Sequence, residues 1–82
     1  MLKANVIVTL KKEVSDPRGL AVSQAIQSLG GGAHKVRVGK FFEIELDGMT
    51  REEARAQLEE MSHKLLSNPT IEDYRIEFVE GV

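Results

Sequence analysis

Residues Leu2 to Lys11 follow a period of two, which predicts a strand. Val6, Val8 and Leu10 share one face. Asn5, Ile7 and Thr9 share the other, which is semi-polar, and the β-branched side chains suit a pleated surface. The period then lengthens. Val22, Ala25, Ile26 and Leu29 fall at i, i+3, i+4 and i+7, an apolar helical stripe, so a helix is expected over Asp16 to Leu29. Asp16 can cap its N-terminus, and Pro17 suits the first helical position, where the missing N–H has no partner to lose. Gly30 is a natural left-handed C-terminal cap, and Gly31 and Gly32 extend the turn.

From His34 to Asp47 the period of two returns. Val36, Val38, Phe42, Ile44 and Leu46 hold one phase, and Lys35, Arg37, Glu43 and Glu45 hold the other. The phase passes through Gly39 and Lys40 unbroken. A two-residue hairpin loop there would pair Val36 with Glu43 and put charge among core residues. A three-residue loop over Gly39, Lys40 and Phe41 keeps the faces clean, and so does one long bent strand. Such a strand would span roughly 40 Å at about 3.3 Å per residue, so part of it would have to pair with another chain.

Thr50 and Glu53 form a capping box that opens a second helix. Ala54, Leu58, Met61 and Leu65 are its expected buried stripe. Arg55–Glu59 and Glu60–Lys64 are expected ion pairs on its solvated side, and Asn68-Pro69 ends it. Ile71 to Val79 reads as a last strand, with Tyr74, Ile76 and Phe78 inward and Arg75 and Glu77 outward. The resulting class is α+β. Two helices lie on one face of a small, mostly antiparallel sheet, and the split βαβ, ferredoxin-like arrangement is the nearest standard topology.

At 82 residues, one domain over positions 1–82 is expected. A domain this small buries roughly 60–65% of its unfolded surface, and such domains often gain stability by oligomerising. The absence of cysteine excludes disulfides and thiolate metal sites. There is no apolar run of membrane-spanning length and no secretory signal pattern, so a cytoplasmic location and no membrane partner are expected. Net charge is −2 with both signs dispersed, and there is one tyrosine and no tryptophan. Nucleic-acid binding is therefore not expected.

Candidate chemistry is sparse. His34 and His63 are the only histidines, and neither has a second ligand at metal spacing, so no metal site is expected; His63 reads as a surface partner of Glu59. No serine or threonine has a base at a fixed motif spacing, and no phosphate-loop motif is present. Gly30-Gly31-Gly32 precedes a strand, not a helix, and reads as a turn. Lys35, Arg37, Glu43, Glu45, Arg75 and Glu77 are expected on the outer sheet face, either as solvated ion pairs or as a subunit interface. Ile7 and Phe41 interrupt that face with apolar surface and favour the interface. Asp16-Pro17-Arg18-Gly19 is the most pointed feature. Capping explains Asp16 and Pro17 but not Arg18, and Gly19 weakens a helix start by roughly 0.5–1 kcal/mol unless something approaches it closely.

Several runs in order resemble a known family. Val8-Thr9-Leu10-Lys11-Lys12, Asp16-Pro17-Arg18-Gly19-Leu20-Ala21-Val22, Leu29-Gly30, Val36-Arg37-Val38-Gly39-Lys40 and Asn68-Pro69-Thr70-Ile71-Glu72-Asp73-Tyr74 are similar to PurS, the small subunit of phosphoribosylformylglycinamidine synthase. Arg18 departs from the glutamine usual there, and Gly30-Gly31-Gly32 is a glycine-rich form of a variable link. The resemblance implies a non-catalytic accessory subunit of a glutamine-dependent C–N ligase in purine biosynthesis. In that complex a large synthetase subunit binds ATP, with Mg, and formylglycinamide ribonucleotide. A glutaminase subunit releases ammonia, and the products are formylglycinamidine ribonucleotide, ADP, phosphate and glutamate. The small subunit holds the other two together and assists ammonia transfer, itself a homodimer or homotetramer with no cofactor of its own.

On this reading no catalytic, cofactor-binding or metal-binding residue is expected. Asp16, Pro17, Arg18, Gly19, Arg37, Gly39 and Lys40 are the candidates for docking partners, and Ile7, Phe41, Glu43 and Arg75 for self-association. Two alternatives share the topology. An acylphosphatase-like enzyme uses an arginine in the first strand–helix loop, near Arg18, but its helical asparagine has no counterpart, since only Asn5 and Asn68 are present. An ACT-like regulatory module favours a glycine-rich first loop, whereas here the glycines follow the first helix.

Overall fold

The computed structural model describes residues 1–32 and 34–79, and its elements run strand, helix, strand, helix, strand. They are β1 (Leu2–Leu10), α1 (Pro17–Ser28), β2 (Gly39–Leu46), α2 (Arg51–Met61) and β3 (Glu72–Phe78), with a π turn over Ser62–Leu66 prolonging α2. The strand with the densest small and β-branched apolar face takes the centre of the sheet, in the order β2-β1-β3, antiparallel throughout. Val6 pairs with Phe42 on one side and Ile76 on the other. Ala4, Val6 and Val8 are fully buried, and Leu58 from α2 closes over them. Phe42, Ile44, Leu46, Leu66, Tyr74, Ile76 and Phe78 complete this core, with the inward and outward assignments of β3 as expected.

No hairpin forms at Gly39-Lys40. Both residues lie within β2, in register with Thr9 and Val8. Gly39 passes so close to β1 that an added Cβ would sit 2.5 Å from the Val8 carbonyl oxygen. The chain runs through Gly39-Lys40 without turning, but the strand is only Gly39–Leu46 and not the long strand from His34 to Asp47. Residues 34–38 have no ladder partner among the described residues.

Local signals at the helix ends hold. Asp16 Oδ1 accepts from the Gly19 amide at 2.9 Å. Gly30, at φ +89°, ends α1 in a left-handed turn, its amide donating to the Gln27 carbonyl and that of Gly31 to the Ile26 carbonyl. The Thr50–Glu53 capping box is complete in both directions.

Three expectations are corrected. The stripe of α2 does not continue through Met61 and Leu65, which are 39% and 73% exposed. The π turn, closed by Ser67 N donating to the Ser62 carbonyl, shifts the phase and brings Ser62 and Leu66 inward instead. The Arg55–Glu59 pair gives way to tertiary partners. Arg55 lies over the Phe78 ring, 5.1 Å from its centroid, and Glu59 accepts from the Tyr74 hydroxyl at 2.6 Å, while Glu60–Lys64 forms at 2.8 Å. Finally, α1 does not bury its apolar stripe. Its buried positions are Gly19 and Ser23, while Val22 is 42% and Leu29 88% exposed. Gly19 is packed directly on the Val36 carbonyl, where a Cβ would overlap it, so the small residues of α1 face the chain.

Candidate functional site

The corner between β1 and α1 is built from four parts of the sequence. Leu10 ends β1; Asp16, Pro17 and Arg18 open α1; Val38, Gly39 and Lys40 lead into β2; and Glu72 begins β3. These eight residues line a cavity of about 370 Å³. Five of the seven docking candidates are thus brought together: Asp16, Pro17, Arg18, Gly39 and Lys40. Gly19 and Arg37 instead line an adjoining hollow of about 240 Å³, with Asp16 as the wall common to both.

Asp16 holds the corner together. Besides capping α1, its Oδ2 accepts from the Val38 amide at 2.9 Å, tying two segments 22 residues apart. These amides, and the charge of Arg37 nearby, hold the carboxyl below its ordinary value of 3.8. It is therefore ionised at neutral pH and fully engaged.

Arg37 does not point to the outer sheet face as the alternation predicted. Its Nη2 donates to the Leu10 and Lys11 carbonyls, each at 2.8 Å, and Nη1 reaches the Val14 carbonyl at 3.5 Å. Lys35 also lies outside the sheet, exposed in the segment before β2. The reason is that the ladder starts only at Gly39, so the pleat does not dictate where earlier side chains go.

The charges lining the cavity differ in how they are met. Glu72 Oε1 accepts from the Asn68 amide at 2.7 Å, and its Oε2 lies 3.6 Å from Lys40 Nζ. Lys40 Nζ also reaches the Leu66 carbonyl at 3.4 Å. Among the described residues the exposed Arg18 guanidinium has neither a hydrogen bond nor an ion pair. Sequence reasoning did not single out Leu10, Val38 or Glu72. For Glu72 the only signal is local: the turn in which Asn68 Oδ1 accepts from the Thr70 amide folds the chain back so that Glu72 meets the Asn68 amide.

The outer sheet face carries the self-association candidates. Ile7 pairs across with Phe41 on one side and Arg75 on the other, so these three form one row. Phe41 is 60% exposed at the sheet edge. Glu43 lies in the next row, beside Asn5, and reaches Lys3 at 3.5 Å; Arg75 bonds Glu77 at 2.9 Å on its own strand. Among the described residues no group of three or more His, Cys, Asp or Glu side chains is placed to hold a metal ion, and no helix is long and apolar enough to cross a membrane.

The family model described as PurS, phosphoribosylformylglycinamidine (FGAM) synthase, matches residues 3–80. The chain belongs to this family. The PurS subunit of Bacillus subtilis is 41% identical over 83 residues, covering 100% of this chain and 98% of that one. That of Methanocaldococcus jannaschii is 40% identical over 77 residues, with 93% of each covered. The crystal structure of Methanocaldococcus jannaschii PurS superposes with a TM-score of 0.86 at 38% identity, covering 96% of both chains. A chain of the PurLQS structure from Thermotoga maritima reaches a TM-score of 0.88 at 26% identity, covering 95% of this chain and 96% of that one. The enzyme and regulatory-module alternatives are not favoured by any of these matches.

Proposed function

We propose that this chain, as one domain, is the accessory subunit of a phosphoribosylformylglycinamidine synthase complex. There it holds a glutaminase subunit and a large synthetase subunit together and assists the passage of ammonia between them. The observation that carries this reading is the family match running from residue 3 to residue 80, nearly the whole chain. The likeness to a chain of PurLQS from Thermotoga maritima supports membership of a three-part assembly. ATP and magnesium belong to the large subunit on this reading, and the working location is the cytoplasm, where purine synthesis takes place.

The chain also associates with a second copy, as a homodimer or homotetramer. Three features support this. Residues 34–37 form no backbone–backbone hydrogen bonds among the described residues, and β2 has a free edge because it is the outer strand of the sheet. The apolar stripe of α1 lies largely uncovered. Among the described residues the sheet has three strands, one fewer than the ferredoxin-like sheet, and the arm 34–38 of a second copy is the right element to supply the fourth. The Ile7, Phe41, Glu43 and Arg75 face adds a further surface of mixed character for assembly into a tetramer. The corner formed by Asp16, Pro17, Arg18, Gly39 and Lys40, with Gly19 and Arg37 beneath it, is the docking surface for the other subunits.

The test is reconstitution. Glutamine-dependent synthase activity of the glutaminase and synthetase subunits should require this chain. Activity unchanged on leaving it out would overturn the proposal.

A further inference from the structure

We infer that Arg37 and Asp16 are positioning residues for self-association, a clamp that holds the arm 34–38 in place before a partner arrives. The inference rests on the reading that this arm pairs with a second copy.

Four contacts converge on the arm. The Val38 amide donates to Asp16 Oδ2 at 2.9 Å. The Arg37 guanidinium donates to the carbonyls of Leu10, Lys11 and Val14, fastening the arm to the end of β1 and the turn that follows. Gly19 seats the first turn of α1 on the Val36 carbonyl without room for a side chain. Gly39 lies against the Val8 carbonyl at the point where the arm joins the ladder. All four fix the position of residues 36–39, yet residues 34–37 make no backbone–backbone hydrogen bond among the described residues.

A segment with open backbone groups is normally mobile, because nothing offsets the entropy of ordering it. Here side chains do what a neighbouring strand does elsewhere. Arg37 suits this task for a chemical reason. Carbonyls crowded at a strand end and turn present converging partial negative charge, and one planar guanidinium satisfies several at once. Asp16 suits it because a carboxylate has two oxygens, one for the α1 cap and one for the arm. Ordering the arm in advance lowers the entropy lost on pairing, so the clamp acts on affinity for the second copy.

Two variants separate this role from folding. Asp16→Asn keeps one side-chain oxygen, and asparagine caps helices as well as aspartate, so α1 stays capped while the arm loses its acceptor. Arg37→Met keeps much of the aliphatic bulk and removes the guanidinium. The dissociation constant is measured by sedimentation equilibrium of the full chain. Amide exchange is followed by NMR for residues 35–38 and, as an internal control, for Val6 and Val8. Each variant should raise the dissociation constant by about tenfold or more and speed exchange in the arm while leaving Val6 and Val8 protected.

An unchanged dissociation constant in both variants would overturn the inference. Loss of protection at Val6 and Val8 in both would also overturn it, by showing that the clamp serves the fold as a whole. A wild-type chain that sediments as a monomer up to high micromolar concentration would defeat the self-association reading itself.

Discussion

Single residues carry more than one duty in this chain, and Asp16 shows how. One oxygen caps α1 and the other holds Val38, and the same amides that make these bonds favour its ionised form. Glu53 behaves alike within the capping box, its carboxyl held below the ordinary 4.5 by Thr50. Both folded values are depressed, so the unfolded chain binds more protons in acid. The stabilisation is present above the ordinary values of 3.8 and 4.5 and fades as pH falls through the lower folded values. Urea midpoints should therefore stay flat from about pH 7 to about pH 5 and drop below about pH 4. In Asp16→Asn the acid-side drop should be shallower, and an identical pH profile would show that Asp16 contributes nothing to it. What the sequence shows of this residue is the cap. The second bond, to an amide 22 positions away, has no local signature.

At the scale of elements, α2 is the instructive case. Its start was legible because a capping box is written in four consecutive residues. Its end was not, because the π turn over Ser62–Leu66 is a compromise between the helical phase and the core. Ser62 pays for that compromise: it is fully buried, and among the described residues its Oγ has no hydrogen-bond partner. Its carbonyl is well served, accepting from both the amide and the hydroxyl of Ser67. Ser62→Ala should therefore leave stability unchanged or raise it by about 1–2 kcal/mol, since it removes an unpaired hydroxyl and keeps the turn. Thermal melts decide the matter; a fall of several degrees would mean that the hydroxyl has a partner after all. The first helix teaches a related lesson. Its stripe at Val22, Ala25, Ile26 and Leu29 is a real amphipathic pattern, but in the single chain Gly19 and Ser23 face inward. Periodicity reports that a helix has an apolar face, not which elements that face packs on.

The whole molecule is long for its mass. It extends 49 Å, with a radius of gyration of 15.9 Å, where a compact chain of this length would have about 12 Å. The excess agrees with the self-association proposed above, in which the arm and first helix meet other chains. The corner proposed for docking belongs to this scale too. Arg18 makes no ion pair among the described residues, so reversing its charge removes nothing from the fold. Arg18→Glu should leave the thermal midpoint within about 2 °C of wild type, as exposed substitutions usually do, yet weaken co-elution with the glutaminase and synthetase subunits in gel filtration. An unchanged complex would remove Arg18 from the docking surface.

Patterns along the chain left one strand or two open between His34 and Asp47, but they were enough for both helices and their starts, the inward faces of β1 and β3, and the family. These rest on interactions between residues a few positions apart, or on patterns read directly along the chain. Only the tertiary structure decided that residues 34–38 stand apart from the ladder, that Arg37 turns to the Leu10, Lys11 and Val14 carbonyls, and that Arg18 and Lys40 share a cavity with Glu72. Each of these depends on groups more than 20 residues apart. Which of the many polar partners in a chain will meet is settled by packing, and packing leaves no period in the sequence.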